Sequence, residues 1–165
     1  MSGLDIRVGQ GFDIHRFSDD SSRKLILGGV HFEGERGLQG HSDADVIAHA
    51  VADALLGAAG LGDIGQHFPD TDPTWKGADS LAILAEVVRM VRADGWSVGN
   101  ADCSVVCEEP KLAPHRAAIQ DNLSRVVGAP VSVKGRRAEG LGALGRREGI
   151  ACWVSAVIIR NMGRE

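Results

Sequence analysis

Two hydrophobic periods organise the chain. Ile6 to Phe12 reads as a strand interrupted by glycines, and Leu25-Ile-Leu-Gly-Gly-Val-His-Phe32 reads as its hairpin partner. Ser42-Asp-Ala-Asp45 then opens a helix. Ser42 has N-cap chemistry, and acids in a first turn favour the positive end of the helix dipole. The alanine-rich run to Leu56 carries that helix on, with Gly57 or Gly60 as its stop. Between Asp79 and Ala93, the residues Leu81, Leu84, Val87, Val88 and Val91 recur at helical spacing, and Gly95 ends this second helix. Ala101–Cys107 predicts a strand. Pro114–Val127 predicts a third helix, with Ile119, Leu123 and Val126 on one face. Val131–Val133 and Ile150–Ile159 predict two more strands, separated by a loop rich in glycine and arginine.

This order predicts an α+β fold (a mixed α/β sandwich), with one sheet covered by helices on one face. The 22 glycines lie between apolar runs rather than in one linker, and no repeat is present, so residues 1–165 read as a single domain. Composition adds exclusions. With 44% apolar and 24% charged residues the chain resembles an ordinary globular protein. Its net charge of −4 argues against a general nucleic-acid binder but leaves room for a local basic pocket. No segment approaches the ~20 apolar residues that span a bilayer, and Met1 to Arg7 has no apolar run of signal-peptide length, so a cytoplasmic protein is expected. Cys103, Cys107 and Cys152 are odd in number and form no Cys-x-x-Cys pair; reduced, buried thiols are the simple expectation.

Four features carry chemistry. In Asp13-x-His15, strand periodicity puts a carboxylate and an imidazole on one face. In His41-Ser-Asp-Ala-Asp-Val-Ile-Ala-His49, a helix beginning at Ser42 places His49 about two turns in, with Asp45 and Asp53 on the same stripe and able to orient its second ring nitrogen. Taken singly, each has an ordinary alternative: a surface Asp–His pair, and a polar stripe on an alanine-rich helix. Together, Asp13, His15 and His49 offer one oxygen and two nitrogens, the three-ligand set of catalytic zinc with one position left open. The third feature is Leu61 to Pro73, too rich in Gly, Pro and Asp for a plain connector; it reads as a functional loop or as a series of solvated turns. The fourth is Lys134 to Gly149, with five cations in an otherwise acidic protein. Arginine forks match phosphate oxygens, and glycines admit close backbone approach; a solvated basic loop is the alternative.

With these residues in view, the sequence resembles the 2-C-methyl-D-erythritol 2,4-cyclodiphosphate synthase family. The matching segments are Gly11-Phe-Asp-Ile-His15, His41 to Val46 with His49, Asp53 to Ala59, Leu61-Gly-Asp-Ile-Gly65, Phe68 to Pro73, Lys76 to Ser80, Pro110-Lys111 with Pro114-His115, and Glu148 to Ala151. They run in family order over nearly the whole chain. The resemblance implies a homotrimer that packs its sheets around a central axis, with active sites between subunits. It implies Zn2+, or another divalent metal, on Asp13, His15 and His49. Substrate contacts are expected at Asp13, Ile14 and His15, at His41 and Ser42, at Asp63, Ile64 and Gly65, and at Phe68, Pro69, Asp70, Thr71 and Asp72. Cys107, Lys111, Leu112 and Ala113 are expected to line a cytidine pocket. Glu139 matches a ligand for a second ion, Mg2+ or Mn2+, and Arg146 an arginine near the trimer axis. His41, Arg137 and Glu139 are the expected catalytic residues.

One stretch departs from the family. A threonine run before the glutamate is replaced by Arg136, Arg137 and Ala138, a lysine by Gly140, a phenylalanine by Ala143 and a glycine by Arg147. Two expectations compete here: the arginines take over diphosphate binding, or the loop is remodelled and turnover altered. The implied reaction converts 4-diphosphocytidyl-2-C-methyl-D-erythritol 2-phosphate into the cyclic diphosphate and CMP. It needs neither a protein nucleophile nor a hydrolytic water. The competing classes are a metal-dependent phosphohydrolase, which would release inorganic phosphate, and a catalytically weakened nucleotide- or isoprenoid-phosphate-binding homologue.

Overall fold

The computed structural model describes residues 3–161. Four strands form the main sheet in the order β1 (Leu4–Arg16), β6 (Gly149–Asn161), β4 (Ser97–Val106), β5 (Val131–Arg136). β6 runs antiparallel to both neighbours, and β4 pairs parallel with β5. The long helices α1 (Val46–Ala59), α3 (Ser80–Ala93) and α4 (Arg116–Val127) complete the mixed α+β architecture, with short helices α2 (Ile64–His67) and α5 (Gly142–Gly145) in the loops. Alternation along β1 separates two faces. Leu4, Ile6, Val8, Phe12 and Ile14 are exposed, while Gly9 and Gly11 are buried under α1. The residues of α1 that meet β1 are small. A Cβ placed on Gly11 would lie 1.9 Å from the Ala50 carbonyl oxygen, and one on Gly9 would lie 1.9 Å from that of Ala54.

Two expectations are corrected. Leu25–Phe32 does not pair with β1. It folds on itself as a separate hairpin, β2 (Leu25–Leu27) with β3 (Val30–Phe32), and the C-terminal strand β6 takes the place beside β1. Gly28 and Gly29 both have positive φ, the requirement of a tight two-residue turn, so the apolar run is two short strands rather than one. The cap of α1 is Asp45, not Ser42. Ala44 has φ +58, which turns the chain just before the helix and moves its start three residues on. His49 is therefore one turn into α1 instead of two.

Asp45 is fully buried and accepts four backbone N–H groups. Those of Ile47 and Ala48 are the first orphan donors of α1, and those of Gly28 and Gly29 come from the hairpin turn. Burial raises its pKa, against the pull of the Gly28 and Gly29 hydrogen bonds. One carboxylate thus ties the hairpin to the start of α1.

The β1–α1 contact yields a stability contrast. Gly11→Ala sets a methyl against helix backbone that cannot rotate away, and the equilibrium denaturation midpoint should fall by the equivalent of at least ~1–3 kcal/mol. Gly57→Ala, on the exposed side of the same helix with open space around its Cβ, should gain up to ~1 kcal/mol. Equal midpoints for Gly11→Ala and wild type would contradict the account of this contact.

Candidate metal centre and the nucleotide-sized pocket

Asp13 and His15 follow Gly11 on the buried side of β1, and His49 lies on α1 just beyond the contact at Ala50. The three side chains converge. Asp13 Oδ2 is 3.0 Å from His15 Nε2 and 3.0 Å from His49 Nδ1. The potential ligand atoms all lie within 4.8 Å of one another. Burial disfavours the Asp13 carboxylate, but hydrogen bonds from His15 and His49 and the attraction of both rings more than offset this, holding its pKa well below the ordinary carboxylate range. For His15, burial lowers the pKa, and Asp13 overcomes it through a hydrogen bond and its charge, so the net shift is upward. Asp13 thus stays ionised between the two imidazoles, and the same inward-facing atoms suit a divalent cation.

The donor set fits such an ion. One carboxylate oxygen and two imidazole nitrogens leave a further coordination position for substrate or water, and the nitrogen-rich set favours zinc-like metals over magnesium. No thiolate joins the cluster: Cys103, Cys107 and Cys152 are free and buried, and the ligand group is Asp13, His15 and His49 even though Cys152 is the cross-strand partner of Asp13. His15 is pre-oriented, because its Nδ1–H donates to the Gln39 carbonyl at 2.7 Å and leaves Nε2 facing Asp13.

The expected orienters of His49 are elsewhere. Asp45 caps α1, and Asp53 accepts the Ile64 N–H at 3.1 Å. Ser80 Oγ, at 2.8 Å, and Ser42 Oγ, at 3.1 Å, face His49 Nε2 instead. Neither was legible as a partner of His49 by helical spacing, because Ser80 comes from α3 and Ser42 from the turn before α1.

A cavity of about 280 Å3 opens beside the cluster, lined by His15 and His49 but not by Asp13. His15, His41, Ser42, His49, Ile64, Gly65, Phe68 and Asp70 line it, so the loop does come down over the metal cluster. Asp63 and Asp72 act differently, as caps: Asp63 accepts the Gln66 N–H and Asp72 the Thr74 N–H. His41 Nε2–H donates to the Asp72 carbonyl at 3.1 Å, which pins the loop to the segment before α1. Pro69 and Thr71 sit in the same loop without lining the cavity. Trp75 and Ile83 were missed in the sequence; Trp75 packs edge-on against Phe68, with ring centroids 4.9 Å apart.

A second pocket of about 330 Å3 lies beside β4 and β5. Cys107, Lys111, Leu112 and Ala113 line it together with Arg136, Arg137, Glu108, Gly135 and Arg116. Burial pushes the Cys107 thiol up to about 11, so it enters this pocket as a neutral wall. Asp13, Cys152, Val105 and Gly135 are register partners in one row across the sheet. Both cavities therefore open at the same end of the sheet, on opposite edges, three strand spacings or ~14 Å apart.

The loop after β5 is held by ion pairs. Arg137 reaches Glu108 at 3.2 Å, Arg147 reaches Glu109 at 3.0 Å, and Arg146 reaches Glu148 at 2.6 Å. Among the described residues Arg136 pairs with no carboxylate. Glu139 is exposed at φ +52, and Ala138 and Ala143 are in the same loop; none of the three joins the Asp13 cluster within this chain. Ile14 is exposed on the opposite face of β1 from Asp13 and His15 and does not line this cavity.

Residues 6–159 match the YgbB family. The chain is 51% identical over 158 residues to a 2-C-methyl-D-erythritol 2,4-cyclodiphosphate synthase from Synechococcus elongatus, covering 94% of this chain and 98% of the relative. It is 54% identical over 160 residues to one from Bordetella petrii, covering 95% and 98%. The solved CDP complex of IspF from Plasmodium falciparum is similar at a TM-score of 0.81 and 34% identity, over 94% of this chain and 96% of that one. The bifunctional IspDF from Campylobacter jejuni gives 0.90 at 40% identity, over 96% of this chain but 43% of that longer one.

Proposed function

The chain belongs to the YgbB family, and we propose that it performs its reaction at the cavity where Asp13, His15 and His49 converge. The activity is that of a 2-C-methyl-D-erythritol 2,4-cyclodiphosphate synthase, a phosphorus–oxygen lyase of the non-mevalonate isoprenoid pathway. The phosphohydrolase and the non-catalytic homologue yield to it. In the reaction an oxygen of the substrate's 2-phosphate bonds to the β-phosphorus. The bond from that phosphorus to the bridging oxygen breaks, and CMP leaves with the electron pair.

Asp13, His15 and His49 would hold Zn2+, which when bound withdraws charge from the β-phosphate as a Lewis acid. The single observation that carries this reading is the convergence of three ligand atoms beside a cavity roofed by the Ile64–Phe68 segment. His41 and Ser42 would contact the methylerythritol end, and Phe68 with Trp75 would exclude water from it. Folding the chain of the substrate back on itself makes the attack intramolecular, worth up to ~7–11 kcal/mol in well-oriented cases.

The cytidine end belongs in the pocket of Cys107 to Ala113, with Lys111 and Arg116 as cations at its rim. Similarity to CDP-bound relatives supports a nucleotide there. Arg136 and Arg137 would supply as charged donors the diphosphate contacts that threonine hydroxyls supply in the family, with Glu108 presetting Arg137. Glu139 would hold the second ion, Mg2+ or Mn2+. Within one chain the two cavities lie on opposite edges of the sheet, so a site between subunits would pair one chain's metal centre with its neighbour's pocket. The unpartnered apolar row Leu4, Ile6, Val8, Phe12, Ile14, with Trp153 beside it, supports a homotrimer packed through these sheet faces, with Arg146 towards its axis. Among the described residues no helix is long and apolar enough to cross a membrane.

Phosphorus NMR of the cytidyl substrate incubated with protein, Zn2+ and Mg2+ should show the cyclic diphosphate and CMP. Inorganic phosphate as the product would contradict the reading. In the same assay Arg136→Ala and Arg137→Ala should each lower kcat/KM about 10- to 100-fold, as expected for one lost charge-assisted hydrogen bond. Wild-type kinetics in both would remove the arginines from the site. Light scattering should return three times the 17.4 kDa chain mass; a monomer at assay concentration would rule out a shared site.

A further inference from the structure

Ser80, the first residue of α3, and Asp43, in the turn before α1, have no part in the reaction described so far. They form a continuous hydrogen-bonded chain to one ring of the metal centre. The Ser80 hydroxyl makes a short contact to Asp43 Oδ1, the Ser80 N–H reaches Asp43 Oδ2 at 3.2 Å, and His49 Nε2 lies 2.8 Å from Ser80 Oγ. We propose that Ser80, backed by Asp43, is a positioning residue that holds His49 with Nε2 protonated and Nδ1 bare towards the metal. The inference rests on the metal reading of Asp13, His15 and His49.

The direction of each hydrogen bond follows from the partners. A carboxylate can only accept, so the one proton of Ser80 goes to Asp43. The Ser80 oxygen is then left as an acceptor, and Nε2–H of His49 must be the donor. With Nε2–H committed to Ser80, Nδ1, which faces Asp13 Oδ2 at 3.0 Å, is the nitrogen left to exchange its proton for the metal. Ser42 Oγ, the other neighbour of Nε2, is consistent with this: it accepts the Ala44 N–H and lies 3.3 Å from Ser80 Oγ, to which it can donate. Ser80 is 1% exposed, so water is poorly placed to take over its role.

The arrangement also connects the ring to the loop over the cavity. Ser80 directly follows that loop, and Asp43 N–H donates to the Ala78 carbonyl at 3.1 Å, while Gly77 N–H donates to that of His41 at 2.8 Å. The hydroxyl that orients His49 is thus delivered by the segment that ends the substrate loop. His15 needs no such device, because a backbone carbonyl orients it.

Zinc affinity of the full chain, measured by competition with a chromophoric chelator, tests the proposal without reference to turnover. Ser80→Ala should weaken zinc binding 10- to 100-fold, the usual effect of removing a hydrogen-bond partner behind a metal ligand. Asp43→Asn should weaken it less, and should add nothing once Ser80 is alanine, because both act through one chain. Wild-type affinity in Ser80→Ala would overturn the proposal. So would an Asp43→Asn effect of equal size with and without Ser80, which is the signature of an unrelated structural loss. A wild-type chain that binds no zinc would overturn the metal reading itself and the positioning role with it, a result distinct from the other two.

Discussion

The close approach of α1 to β1 is the constraint on which the site depends. Gly9 and Gly11 leave no side chain between the strand and the helix, and Ala50, Ala54 and Ala58 meet them from the other side. Backbone lies against backbone there, so the helix has little freedom to slide or lift. The residues that continue each element past this contact are then brought together. Asp13 and His15 follow Gly11 at the two-residue period of the strand, and His49 precedes Ala50 on the helix. A bulkier contact would keep the same residues in the same order and set them too far apart to share an ion.

Polar groups then fix what packing has brought close. Asp45 anchors the start of α1 to the hairpin turn, and Ser80, with Ser42, faces the outer nitrogen of His49. These partners come from separated parts of the chain, so the metal centre is braced by the turn, the loop and α3 together. The exposed apolar row on β1 has the opposite character: among the described residues no element covers the sheet face turned away from the helices.

Much of this was legible in the residues. Asp-x-His on a strand predicts two groups on one face, and that geometry is present. The helical spacing of Leu84, Val87, Val88 and Val91 gave α3 within one residue of its start. Buried free cysteines also hold. The errors have physical causes. Leu25 to Phe32 looks like one apolar run unless its two glycines are taken as a two-residue turn with positive φ. Ser42, Asp43 and Asp45 are all good caps by type, and only the backbone at Ala44 selects Asp45. Helical spacing offered Asp45 and Asp53 to His49, whereas tertiary structure supplied Ser80 and Ser42. Arg116 was invisible as a pocket residue, since one exposed arginine at the start of a helix carries no signal of its own. The arginine-rich loop suggested anion binding, but its pairing with Glu108 and Glu109 depends on the turn that brings those glutamates to the same pocket.

The account stands on one arrangement, a divalent ion held by one carboxylate and two imidazoles. X-ray absorption at the zinc edge of the loaded protein reads that arrangement directly. It should show two imidazole nitrogens and oxygen scatterers at ~2.0–2.2 Å, with no sulfur. A sulfur shell at ~2.3 Å, or a single imidazole, would place the metal elsewhere and contradict the account.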